Sequence, residues 1–184
     1  MSLTLSNMME LGTKAPDFTL LNTITGKTVS LSESKSDIAT VIVFICNHCP
    51  FVHHINPKLV EVANTYQAKG IKFIAISSND VDGYPQDAPE YMAQVAKKEE
   101  YPFPYLYDAT QGVAKAYRAE CTPDFFVFDH NMECVYRGRF DETRPERGQA
   151  TGKDLSDALD ALLDGKTVKT EQKPSMGCNI KWKQ

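Results

Sequence analysis

The chain of 184 residues is long enough to bury a full core without covalent staples, and its 42% hydrophobic and 24% charged composition is that of an ordinary globular protein. A formal net charge of -4 argues against nucleic acid or anionic membrane as the main partner, since both attract a basic face. No apolar run approaches the roughly 20 residues of a spanning helix, and the opening MSLTLSNMMELGTKA lacks the basic start and unbroken apolar stretch of a signal peptide, so a cytoplasmic setting is expected.

In chain order, Phe18, Leu20, Val29 and Leu31 flank Gly26 and predict an N-terminal hairpin. Thr40 to Ile45, TVIVFI, is a β-branched run that suits a strand buried on both faces. Ile55, Leu59, Val62 and Tyr66 then recur at helical spacing, and Gly70 supplies a stop. Ile71 to Ser77, IKFIAIS, reads as a second buried strand. Pro89 fits the first turn of a helix whose inner face carries Met92, Val95 and Ala96. Pro104 to Tyr107 predicts a short strand, with the aromatic YPFPYLY packing the sheet edge, and Gly112 to Ala119 a short helix. Phe125 to Phe128 and Val135 to Arg139 make a hairpin across Asp129 to Met132, and Lys153 to Leu163 closes with a helix carrying Leu155, Leu159 and Leu162. This order is α/β: a mixed central sheet flanked by helices, in a single domain over residues 1–184. Residues 166–184 are expected to wrap the surface, because EQKPSMGCNIKWKQ is too polar for a further core element.

The chemistry centres on VFICNHCPFVHH, where two cysteines stand three apart after the first buried strand. Five cysteines (Cys46, Cys49, Cys121, Cys134, Cys178) are an odd number in a chain that does not need bridges to fold. In a reducing compartment a close pair is catalytic or metal-binding more often than structural. Cys46 is expected to open the following helix, whose unpaired amides and macrodipole favour an anion there. It would then have a depressed pKa and be the attacking sulfur, with Cys49 one turn on to resolve the mixed disulfide. His48, donating a hydrogen bond or protonated, would stabilise the thiolate. A closed zinc site needs two more ligands, and the sequence has no second Cys-x-x-Cys and no matching histidine pair; Cys121, Cys178, His53 and His54 complete one only by folding together. Cys121 reads as a small buried side chain, and Cys178 meets the site only if the tail folds back. DVDGYPQDAPE, residues 80–90, reads as a solvated loop near the active face. No phosphate-cradling or nucleotide motif calls for a cofactor.

Three motifs in order carry a resemblance: GTKAPDFTLLNTITGKTVSLSE from Gly12 to Glu33, CNHCP, and CTPDFFVFD from Cys121 to Asp129. Over residues 10–165 the chain resembles the redoxin branch of the thioredoxin fold, the alkyl hydroperoxide reductase/thiol-specific antioxidant superfamily, in a subgroup with a CNHCP motif. The resemblance implies a thioredoxin fold and a thiol–disulfide oxidoreductase working through Cys46 and Cys49; by the thiolate chemistry above, His48 would tune the pair to be more oxidising than thioredoxin. It implies a cis Thr122–Pro123 bond, with Thr122 presenting its backbone to an extended partner beside Cys46. The implied partners are protein or small-molecule disulfides and thiols, plus an electron donor that the sequence does not identify; no cofactor, metal, nucleic acid or membrane is implied. Ile45 stands where the family has tryptophan, and Thr40 where thioredoxins often bury an acid. Two other readings compete. A peroxiredoxin-like thiol peroxidase lacks its hydroxyl, since Val43 stands three before Cys46. A redoxin that binds a metal or partner without turning over disulfides is the other.

Overall fold

A computed structural model describes residues 3–169 and 171–184. The strands are β1 (Leu3–Leu5), β2 (Thr19–Asn22), β3 (Thr28–Ser30), β4 (Ala39–Phe44), β5 (Lys72–Ser77), β6 (Tyr105–Tyr107), β7 (Cys121–Thr122), β8 (Asp124–Asp129), β9 (Cys134–Gly138) and β10 (Met176–Asn179). The α-helices are α1 (Leu31–Ser34), α2 (Pro50–Gln67), α3 (Pro89–Lys98), α4 (Gly112–Tyr117) and α5 (Lys153–Leu163), with a 3-10 turn at Pro85–Asp87.

Seven strands form one sheet in the order β3-β2-β6-β5-β4-β8-β9. Strand β4 lies inside it, parallel to β5 and antiparallel to β8. Its backbone is therefore paired on both edges, and all six of its residues are buried. Alternation along the strand sends Val41 and Val43 to one layer and Ile42 and Phe44 to the other. The first layer takes the inner faces of α2, α3 and α5, and the second those of α1 and α4. This is the mixed sheet, flanked by helices on both faces, that the element order predicted. Strands β2 and β3 form the N-terminal hairpin.

Helix α2 starts at Pro50, whose missing N–H and fixed φ suit a first helical position. It buries Ile55, Leu59, Val62 and Tyr66 as the spacing predicts. The chain leaves the helix through Gly70 at φ +92, a conformation that a side chain would oppose. Tyr66 ties α2 to α5, its hydroxyl lying 2.9 Å from Asp160 Oδ1 and 3.2 Å from the Ser156 carbonyl. Tyr66→Phe should cost about 1 kcal/mol in chemical denaturation, the net worth of a part-buried hydrogen bond.

Two expectations need correction. Strand β6 is not at an edge, since it pairs with β2 on one side and β5 on the other. The tail is not merely a surface wrap either. Strand β10 is the middle strand of a second sheet ordered β1-β10-β7, and Ser175, Cys178 and Ile180 are buried at 2%, 4% and 1% exposure. Backbone pairing holds this segment, so its polar side chains gave no hint of its depth. Among the described residues no helix is long and apolar enough to cross a membrane.

Candidate active site

Strand β4 delivers Ile45 and Cys46 at its carboxyl end, and Ile45 N–H still bonds to the Ile76 carbonyl at 2.9 Å. The carboxyl ends of strands in open α/β sheets are where ligands usually meet the fold. Asn47 and His48 then make a turn, and Cys49 is the N-cap of α2. The turn is pinned by one carboxylate. Asp87 accepts from Asn47 N–H at 2.8 Å, and its other oxygen lies 2.7 Å from His48 Nδ1 and 2.8 Å from Asn79 Nδ2. Tyr84 stacks on the imidazole with ring centroids 5.4 Å apart. Asp87 has no exposed surface, so the segment read as a solvated loop instead supplies the buried anchor of the motif.

The two cysteine sulfurs are in hydrogen-bonding contact, and none of the five cysteines is in a disulfide. Cys46 Sγ lies 3.5 Å from Thr122 Oγ1 and 3.9 Å from His48 Nδ1. Cys49 Sγ lies 3.2 Å from the Thr122 carbonyl. The Thr122–Pro123 bond is cis, as the resemblance implied. Cys46, Cys49, His48, Thr122 and Pro123 are thus brought together.

The ionisation differs from the expectation. Because the helix begins at Pro50, its amide end meets Cys49, five residues beyond the end of β4, and not Cys46. Cys49 also gains hydrogen bonds from the Cys46 thiol, Thr122 and Cys178, the first being the largest, and its pKa falls to about 5. The Cys46 thiol is pushed well up, by its hydrogen bond with Cys49, then by burial and the negative charge of Asp87. Two sulfurs in contact cannot both carry charge cheaply, so one thiolate is shared and it rests on Cys49. His48 does not relieve Cys46 directly. A carboxylate can only accept, so Nδ1 donates to Asp87 at 2.7 Å in preference to a sulfur at 3.9 Å.

Ligand atoms of Cys46, His48 and Asp87 lie within 4.8 Å of one another and could hold a metal ion. Binding through His48 Nδ1 would break the hydrogen bond that now joins it to Asp87. His53 and His54 turn elsewhere, to the Asn47 carbonyl and to Thr143 Oγ1. Cys121 and Cys134 are buried, their thiols pushed up by burial. Beside Pro123 a cavity of about 270 Å³ is lined by Phe51, His54, Arg139, Arg144 and Met176.

Sequence reasoning left Cys178's approach to Cys49 conditional on the tail folding back, which it does, and it missed Asp87 and a buried ion pair next to the cis bond. In that pair Arg137 forks onto both oxygens of Asp124, with neither side chain exposed. Only the two prolines bracketing Asp87, at 85 and 89, hinted that its segment was fixed.

The sequence model of the AhpC/TSA family matches residues 11–137. No curated protein matches the chain. Among solved structures, an uncharacterized conserved protein of Geobacillus kaustophilus is 57% identical, with 100% of this chain and 97% of that one covered at a TM-score of 0.98. A hypothetical protein of Sinorhizobium meliloti 1021 is 47% identical over 98% of each chain, with a TM-score of 0.95. A secreted disulfide oxidoreductase of Mycobacterium tuberculosis shares the fold at 19% identity and a TM-score of 0.61, over 78% of this chain and 95% of that one.

Proposed function

Since the chain belongs to the AhpC/TSA family, we propose that it is a thiol–disulfide oxidoreductase working through the Cys46/Cys49 dithiol. The observation that carries this reading is the contact of the two thiols against Thr122 and its cis bond. Cys46 is the attacking sulfur, because it keeps 2% of its surface while Cys49 keeps none. As Cys46 attacks a partner disulfide, its proton passes to the Cys49 thiolate, which serves as the base. One partner sulfur leaves as a thiolate and takes the proton from Cys49. Cys49 then attacks the Cys46 sulfur, the second partner sulfur leaves, and the chain holds a Cys46–Cys49 disulfide. His48, fixed by Asp87, keeps an imidazole edge beside Cys46, and Thr122 holds its hydroxyl against the same sulfur. Protein and small-molecule disulfides are the partners, and the reducing cytoplasm is the setting.

Insulin reduction in dithiothreitol tests the reading. The wild type should accelerate it, Cys46→Ser should abolish the acceleration, and Cys49→Ser should accumulate a mixed disulfide on Cys46. A Cys46→Ser variant that keeps the wild-type rate would sink the proposal. Hydrogen peroxide consumed faster than insulin is reduced, in the same preparation, would move the reading to a thiol peroxidase.

A further inference from the structure

The edge that Thr122 was expected to offer to a partner is already taken. Strand β10 lies antiparallel on β7, with Cys178 opposite Thr122 and Asn179 opposite Cys121. An extended chain pairing with an open sheet edge is a general mode of peptide recognition, in which backbone bonds supply affinity and alternate side chains reach the site. Here the residue facing Thr122 is a cysteine, and its thiol and backbone N–H both reach Cys49. The fit is close: a Cβ on Gly177 would fall 1.9 Å from the Thr122 carbonyl oxygen, so no other residue there allows this approach. On its far edge β10 is held by β1.

We propose that β10 is a built-in substrate strand and Cys178 a third reacting sulfur, which exchanges with Cys49 at the partner edge of the site. The proposal rests on the dithiol reading above. When Cys46 and Cys49 are joined, the Cys178 sulfur attacks Cys49. The Cys49–Cys178 bond forms, the Cys46–Cys49 bond breaks, and the departing Cys46 sulfur takes the proton that Cys178 loses. One disulfide replaces another, so no further oxidant is consumed. The exchange moves the bridge away from the sulfur that partners reach, and it staples β10 over the Thr122 edge. In that state Cys46 is again a thiol, while an extended protein partner is shut out. A large partner therefore gains the edge only by displacing β10, whereas a small disulfide has no need to.

Cys46→Ser treated with oxidised glutathione tests the exchange, because it removes the competing bridge. Glutathione first captures Cys49 or Cys178, and the other sulfur should then expel it. The expected product has lost the mass of two hydrogens and gives a cross-linked peptide joining Cys49 to Cys178. A product that stays glutathionylated, or shows no such bridge, overturns the proposal. Should that variant fold poorly, disulfide mapping of the wild type in glutathione buffer decides the same question: both bridges should be found, and a Cys46–Cys49 bridge alone overturns the inference while leaving the dithiol reading intact. Absence of the Cys46–Cys49 bridge as well would instead remove the reading on which it rests. Gly177→Ala, which drives β10 off Thr122, should speed insulin reduction several-fold and suppress the Cys49–Cys178 bridge; unchanged bridging in that variant also counts against the proposal.

Discussion

Arg137→Met should lower the free energy of unfolding by about 3–5 kcal/mol, the usual cost of removing one partner of a buried ion pair. For a chain of this size that corresponds to a fall in Tm of roughly 6–20 °C. Arg137 and Asp124 have no exposed surface, the guanidinium forks onto both carboxylate oxygens, and its Cζ lies 3.8 Å from the Phe126 ring centroid. Methionine keeps most of the volume but leaves the Asp124 carboxylate, among the described residues, with the Glu120 N–H at 3.4 Å alone. Even with Arg137 in place, burial outweighs the guanidinium and raises the Asp124 carboxyl above its ordinary range. An acid with a raised folded pKa favours the native state below its unfolded pKa and loses that advantage as pH rises. Without the arginine this penalty grows, so the deficit should be largest at neutral pH and shrink on acidification into the carboxylate range. Adding Asp124→Asn should restore most of the loss at neutral pH, since the amide carries no charge to strand. Denaturant melts of the single and double variants at two pH values measure both effects. Equal destabilisation at both pH values, or a double variant no better than the single, would contradict this account. Because Asp124 follows Pro123, a loosened pair should also slow disulfide exchange.

The sequence showed most of the sheet because burial on both faces writes continuous apolar runs. TVIVFI and IKFIAIS read as strands buried on both faces and are so, and α2 carried a clean stripe from Ile55 to Tyr66. It showed the cysteine pair for the same local reason, that three residues fix its spacing. The parts it hid are those where a polar residue is buried by partners distant in sequence. Asp87 reads as one acid among several in a loop, and becomes an anchor only when Asn47, His48 and Asn79 converge on it. Strands β1, β7 and β10 are two to four residues long and are held by one another's backbones. No periodicity can appear over so short a span. Which of the two sulfurs carries the charge was hidden too. Cys-x-x-Cys says that a helix follows, but whether it begins at the first or second cysteine depends on Pro50 and on Asp87 holding the turn.

The midpoint potential of the Cys46/Cys49 pair should change its pH dependence near pH 5. With the Cys49 thiol pulled down to about 5 and Cys46 pushed up, reduction of the disulfide takes up two protons below that pH and one above it. For a two-electron couple the slope is therefore about 59 mV per pH unit in acid and about 30 mV per pH unit from there to the alkaline range. The sign follows from which state holds the charge. A lowered pKa stabilises the reduced protein only where the thiolate exists, so the contribution of Cys49 relative to an ordinary thiol is lost as pH falls through about 5 and is complete above the ordinary thiol range. At neutral pH the pair should accordingly be more oxidising than one whose thiols are both protonated. Cys46→Ala removes the largest single cause of the low value, the hydrogen bond from its thiol, and should move the thiolate absorbance of Cys49 upward by more than one pH unit. Asp87→Asn acts on the other sulfur, because removing that charge eases ionisation of Cys46, and alkylation of Cys46 at neutral pH should quicken. Redox titration from pH 4 to pH 9, with ultraviolet thiolate titration of the wild type and both variants, reads all three. A single slope across the range, or a Cys49 titration unmoved by Cys46→Ala, would show that the two sulfurs do not share one proton.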